Sequence, residues 1–174
     1  PDVLTLDVEM PRMDGITFLQ KLMRSKPMPV IVLSSLTPKG GKNAMAALEA
    51  GAFDVMCKPG AAYSVNKACA ELVEKIKYAS RATIKRRTTE TGTVKRLSMA
   101  ETTNKIFARG AATGGAQALI EVITRLPANA PGTLIVQHMP EKYTAPFAAR
   151  HTGLCAVDVK ELDNVDSISP GRVL

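Results

Sequence analysis

Apolar residues along this chain fall into short unbroken runs, separated by stretches in which they recur every three or four positions. That is the pattern of strands alternating with helices. Residues 3–6, 30–33 and 53–56 are three such runs, the first ending in Asp7. Between them, residues 16–24 and 42–50 carry helix formers, and Val65, Ala68, Cys69, Leu72, Val73 and Ile76 recur at the spacing of one long amphipathic helix. The pattern predicts an α/β domain over residues 1–80. The alternation then restarts, with strands over 106–108, 133–136 and 157–160 and helices over 116–125 and 143–151, so a second α/β domain is expected over 105–174. Continuous apolar strands predict parallel sheets covered on both faces, with sites gathered at the carboxyl ends of the strands.

Residues 81–104 lack this periodicity. They concentrate much of the net charge of +7, with Arg81, Lys85, Arg86, Arg87, Lys95 and Arg96 opposed by Glu90, and have no aromatic side chain to stack on a base. A solvated basic linker is expected there rather than a nucleic-acid surface. A content of 45% hydrophobic and 22% charged residues is that of a globular protein. No apolar run reaches the length of a membrane span and no tripartite leader opens the sequence, so a cytoplasmic protein without membrane insertion is expected. The three cysteines, Cys57, Cys69 and Cys155, have neither metal-ligand spacing nor an even count, which favours buried or half-buried thiols over a disulfide framework. The chain opens at a strand and stops just after Pro170 and Gly171, so both domains read as partial.

An aspartate at a strand end is, alone, most often a turn or cap residue. Here two further strand ends carry Ser34 and Lys58, and a parallel sheet sets such ends side by side. A carboxylate, a hydroxyl and an ammonium converging on one crevice suit phosphoryl transfer: the carboxylate as nucleophile, the other two binding the acquired oxygens. Asp14 is placed as a helix cap, and Gly15 as a residue accepting a conformation that others resist.

The segment Leu4-Thr5-Leu6-Asp7-Val8-Glu9-Met10-Pro11-Arg12-Met13-Asp14-Gly15, with Ser34 and Lys58-Pro59, resembles a response-regulator receiver domain of flavodoxin-like fold. The resemblance implies Asp7 as phosphoacceptor, Ser34 as switch hydroxyl and Lys58 as phosphoryl-binding lysine. It also implies a cis bond at Pro59 and magnesium held by Asp7, the Glu9 carbonyl and an acidic pair that would lie upstream of Pro1.

In the second domain, Gly110-Ala111-Ala112-Thr113-Gly114-Gly115 links a strand to a helix, and His138 ends the next strand within Gln137-His138-Met139-Pro140. A glycine turn offers amides and a helix amino end to developing negative charge, and a histidine beside it is a candidate base, although such a turn alone can simply join two elements. Together these segments resemble the chemotaxis protein-glutamate methylesterases, whose turn reads Gly-Ala-Ser-Thr-Gly-Gly. Segment 147–150, Cys155, segment 159–161 and Pro170-Gly171 agree with that family; His151 departs, standing where an apolar residue is usual.

The resemblance implies hydrolysis of receptor glutamate methyl esters and deamidation of receptor glutamines, with His138 as catalytic base and no cofactor for the ester chemistry. The receiver would cover the esterase cleft until a histidine kinase phosphorylates Asp7, and the chemoreceptors would be the second partner. Ala112 stands at the position of the nucleophilic serine, and the third triad member, an aspartate, would lie beyond Leu174. Loss of a triad nucleophile costs about a millionfold in turnover. A catalytically silent binding regulator is therefore the alternative, while a DNA-binding output protein finds no helix-turn-helix pattern.

Overall fold

The computed structural model describes residues 1–35, 37–60, 64–84 and 97–174, so that five of the basic residues of the expected linker, Lys85, Arg86, Arg87, Lys95 and Arg96, lie outside the described residues. The chain divides into two compact units, Pro1–Thr89 with Met139–Tyr143, and Glu90–His138 with Thr144–Leu174.

The first unit runs β1 (Leu4–Asp7), α1 (Gly15–Ser25), β2 (Val30–Ser34), α2 (Pro38–Glu49), β3 (Asp54–Cys57) and α3 (Val65–Ala79). Its three strands pair in parallel in the order β1-β2-β3, with Asp7 beside Leu33 and Ser34 beside Cys57, so all three carboxyl ends lie at one edge. Val30, Ile31 and Val32 of the central strand are fully buried. Because alternate side chains leave opposite faces of a strand, this requires cover on both, and each contributes about 1.5–3 kcal/mol. On one face Ile31 and Met56 pack with Ala68, Leu72, Ile76 and Ala79 of α3.

Each helix begins at a polar cap. Asp14 accepts from the Thr17 amide, Thr37 from the Gly40 amide and Ser64 from the Lys67 amide, an arrangement worth about 1 kcal/mol per helix. Gly15 is required for a reason other than its conformation: a Cβ there would lie 2.3 Å from the Asp7 carbonyl oxygen. The helix thus starts directly against the strand end that carries Asp7.

The amphipathic face expected for α3 holds in part: Ala68, Leu72 and Ile76 pack on the core as expected. Val65, Cys69 and Val73 are exposed, whereas the buried stripe runs Ala68, Lys75 and Ala79. What admits a lysine to that stripe is Asp54 at the start of β3: Lys75 Nζ lies 2.6 Å from Asp54 Oδ2, with side-chain exposures of 2% and 4%. Glu71 stands 3.6 Å from the same ammonium. An apolar-pattern reading misses such a pair because the compensating charge is remote in sequence.

The second unit holds β4 (Phe107–Ala111), α4 (Gly115–Ile123), β5 (Thr133–Gln137), β6 (Asp158–Val159) and β7 (Arg172–Val173), together with helix α5 (Glu141–Thr152) from Thr144 onward. All its strand pairs are parallel, in the order β4-β5-β7-β6. The two-residue β7 carries too little pattern to be predicted. Contrary to the expectation of strands covered on both faces, Phe107 through Gly110 of β4 are exposed; β4 lies at an edge and pairs with β5 alone. Inside the unit, Ala116, Leu119 and Ile123 of α4 are buried, as are Val157, Val159, Val173 and His151. His151 is accommodated in place of an apolar residue because its Nδ1 meets the Phe147 carbonyl at 2.5 Å and its ring packs 4.5 Å from the Phe147 ring.

Among the described residues no helix is long and apolar enough to cross a membrane. Cys57 is buried and Cys155 half-buried, as expected, whereas Cys69 is exposed because it lies on the solvent side of α3.

Candidate functional site

At the carboxyl edge of the first sheet, Asp7 and Lys58 form an ion pair. The ammonium lies 2.8 Å from either carboxylate oxygen, and the Glu9 amide donates to Asp7 Oδ1 at 2.8 Å. Desolvation pushes the Asp7 carboxyl up, but the Lys58 hydrogen bond, the Glu9 amide and the lysine's charge outweigh it and hold the group below its ordinary value. The Asp7 hydrogen bond, against some desolvation, raises Lys58. The result is an ionised carboxylate with a cation in contact, which is the charge state that nucleophilic attack on phosphorus requires.

Strand register explains how residues so distant in sequence meet. The Lys58 amide donates to the Ser34 carbonyl at 2.8 Å, extending the β2–β3 ladder by one residue and placing Lys58 at the same edge as Asp7. Ser34 itself is not turned to that pair. Its hydroxyl is fully buried and donates to the Gly40 carbonyl at 3.0 Å, since the first turn of α2 approaches the strand end closely. The neighbouring Ser35 reaches the site instead, donating to Glu9 Oε1 at 3.4 Å and sharing a 3.1 Å hydrogen bond with Thr37, the cap of α2. In the sequence Ser35 and Thr37 read only as loop residues near Ser34, since their direction depends on how the chain leaves the strand.

Glu9 also presents its side chain to the site. Besides its main chain, its carboxylate stands 3.6 Å from Lys58 Nζ. No peptide bond among the described residues is cis, so Lys58–Pro59 is trans rather than the implied cis; trans is the lower-energy isomer by about 0.5–1 kcal/mol. As a magnesium site the present residues do not suffice. Asp7 and Glu9 are bridged by the Lys58 ammonium, and no group of three acidic, histidine or cysteine side chains gathers among the described residues.

The second unit carries the other constellation. From the β4–β5 register, Ala111 lies beside Gln137, and the His138 amide donates to the Ala111 carbonyl at 2.9 Å. The main chain of the candidate base is therefore one residue removed from Ala112, as the sequence predicts. Gly110 belongs to the strand rather than to the turn. The turn proper is made by Gly114, the left-handed amino cap of α4 with φ 76°, and by Gly115, where a Cβ would lie 2.7 Å from that of Ala111 and 3.3 Å from Gln137 Oε1.

Gln137, which the sequence marks only as part of the tetrapeptide, makes the densest contacts here. Its Nε2 donates to the Ala112 carbonyl at 3.1 Å and to the His138 carbonyl at 3.1 Å, while the Gly115 amide donates to the same Ala112 carbonyl at 2.8 Å. Its buried Oε1 has no partner among the described residues. The methyl of Ala112 offers neither nucleophile nor proton.

Comparisons with known proteins match the two halves of the chain separately. The family model for the response regulator receiver domain matches residues 1–70, and that for the CheB methylesterase matches residues 107–174. A protein-glutamate methylesterase/protein-glutamine glutaminase of Syntrophus aciditrophicus is 51% identical across 100% of this chain and 52% of its own length. A second, from Anaeromyxobacter dehalogenans, is 51% identical across 100% of this chain and 50% of its length. A third, from Xanthomonas oryzae pv. oryzae, is 49% identical across 100% of this chain and 55% of its length. The chain thus spans about half the length of the curated relatives it matches. With a receiver match over one half, a methylesterase match over the other and this identity across both, the chain is similar to the receiver-linked CheB methylesterases along its whole length.

Proposed function

We propose that the chain is the receiver and the leading part of the catalytic domain of a chemotaxis protein-glutamate methylesterase and glutaminase, controlled by phosphorylation of Asp7. The observation that carries the reading is the hydrogen bond from the His138 amide to the Ala111 carbonyl, which sets a histidine beside the residue pair where this family bears its nucleophile. Residue 112 is the position from which the family's serine attacks the ester or amide carbonyl, with His138 as the base for its proton; Ala112 leaves that position without an attacking atom. In the first unit the Lys58 ammonium, already on Asp7, balances the charge of an incoming phosphoryl group delivered by a histidine kinase. The implied magnesium would need donors beyond Asp7 and Glu9, and no step is assigned to it. Chemoreceptor glutamates are the substrates, in the cytoplasm.

Ala112 supports a second reading for this particular chain, in which it binds receptor or kinase without cleaving. Grafting residues 105–174 into the Syntrophus relative, either unchanged or with Ala112→Ser, separates the two. Methanol release from a methylated chemoreceptor is expected from the Ala112→Ser graft and not from the unchanged one. A silent Ala112→Ser graft that folds would contradict the assignment of residue 112.

A further inference from the structure

We propose that Gln137 is a positioning residue for the oxyanion donor of the esterase site: its amide locks the Ala112–Thr113 peptide plane in the orientation that acyl transfer needs. The inference rests on the reading of residue 112 as the nucleophile position.

The donor side of the amide is fixed first. Nε2 has two hydrogens and two carbonyl partners, Ala112 and His138, each at 3.1 Å. Turning the amide over would set Oε1 against both carbonyl oxygens, so these partners fix its orientation. Two donors, Gln137 Nε2 and the Gly115 amide, then occupy the Ala112 carbonyl and leave it little freedom to rotate. The Ala112–Thr113 bond is trans, like every described peptide bond, and a trans peptide is planar with C=O and N–H opposed. Holding the carbonyl toward Gln137 therefore holds the Thr113 N–H toward the opposite side of the turn. At a strand-to-helix turn that bears a nucleophile, the amide of the following residue is the donor placed to receive the developing oxyanion.

Gln137 Oε1 is buried without a partner among the described residues, close above Gly115. The second contact, to the His138 carbonyl, ties the same amide to the residue that carries the base, so one side chain sets the spacing of nucleophile, oxyanion donor and base.

The test uses this chain of 174 residues with Ala112→Cys, because a thiol reacts by two routes with different demands. Alkylation by iodoacetamide needs only a thiolate. Acyl transfer from p-nitrophenyl acetate also forms a tetrahedral oxyanion: the sulfur attacks the carbonyl carbon, a thioester forms, and p-nitrophenolate leaves with the electron pair. Both rates are read at residue 112 by peptide mass spectrometry, with exposed Cys69 as internal standard. In the parent Ala112→Cys variant, alkylation of the new thiol at neutral pH should exceed that of Cys69 by about tenfold through the neighbouring imidazole. Adding Gln137→Met, or the equally shaped but non-donating Gln137→Glu, should leave alkylation within about twofold and slow acyl transfer by roughly tenfold to a hundredfold.

Unchanged acyl transfer in the double variants would overturn the proposal, as would parallel loss of both rates, which marks general disruption of the turn. If the thiol at residue 112 alkylates no faster than Cys69 in the parent variant, the reading of residue 112 as a base-assisted nucleophile position fails instead, independently of Gln137.

Discussion

Replacing Lys75 by methionine should be among the most damaging single changes in the first unit, even though lysine is a residue ordinarily assigned to the surface. Asp54 would then keep a buried carboxylate with its Oδ1 on the Val55 amide at 2.8 Å and its Oδ2 deprived of the 2.6 Å ammonium. An uncompensated charge at 4% exposure costs roughly 3–5 kcal/mol. The lost contact to the more exposed Glu71, at 3.6 Å, adds at most about 1 kcal/mol. Against a total stability of about 5–15 kcal/mol for a domain, this approaches loss of the fold. Asp54→Leu should cost less, because the Lys75 ammonium keeps Glu71 at 3.6 Å. The double variant, with neither charge, should recover most of the loss, because apolar replacements of a buried pair are often neutral or stabilising by about 1–4 kcal/mol. Urea unfolding of the wild type, both single variants and the double variant gives the coupling directly. A coupling below about 1 kcal/mol, or a double variant as damaged as the sum of the singles, would refute the idea that this pair seats α3 on the strand leading to Lys58.

Other expectations follow from single sites. Lys58→Met should raise the Asp7 carboxyl, followed by NMR titration, because its principal partner is removed. Asp7 is depressed in the fold, so its contribution to stability is present above the unfolded value of about 3.9 and disappears as pH falls through the folded value. Lys58 is raised, so its contribution is present below about 10.5 and is lost as pH climbs through the folded value. The Lys58→Met variant should therefore lose stability at neutral pH yet show weaker dependence at both extremes; identical pH profiles would count against the pairing. Arg12→Gly should raise the urea midpoint by the equivalent of about 0.5–1 kcal/mol, since Arg12 holds a φ of 72° that glycine adopts without strain; a drop would mean that its side chain matters more than its backbone. Gly115→Ala should cost about 1–3 kcal/mol in the second unit because the new methyl meets Ala111 at 2.7 Å, and an unchanged melting temperature would show that the turn relaxes.

How far the sequence can be read differs between patterned and unpatterned features. Three apolar runs ending in Asp7, Ser34 and Lys58 are enough to place those residues at one sheet edge, because register in a parallel sheet makes strand ends coincide. Side-chain direction at those ends is not legible: Ser34 turns inward to Gly40 while Ser35 turns to Glu9, a choice made by the close approach of α2. The phase of α3 escapes the pattern in part, for a different reason. Two adjacent apolar stripes lie on that helix, and the buried one includes a lysine whose partner is 21 residues away. His138 is legible because it follows a strand whose neighbour carries the glycine turn, whereas the bridging amide of Gln137 depends on carbonyl directions that no spacing encodes.

Whether residue 112 is the attack position of a hydrolytic site served by His138 can be decided by fluorophosphonate labelling of residues 105–174 grafted into the Syntrophus relative with Ala112→Ser, read by peptide mass spectrometry. Phosphonylation is expected at residue 112, lost on adding His138→Gln and absent from the graft that keeps Ala112. A folded Ala112→Ser graft that stays unlabelled, or one labelled equally well without His138, would contradict that assignment.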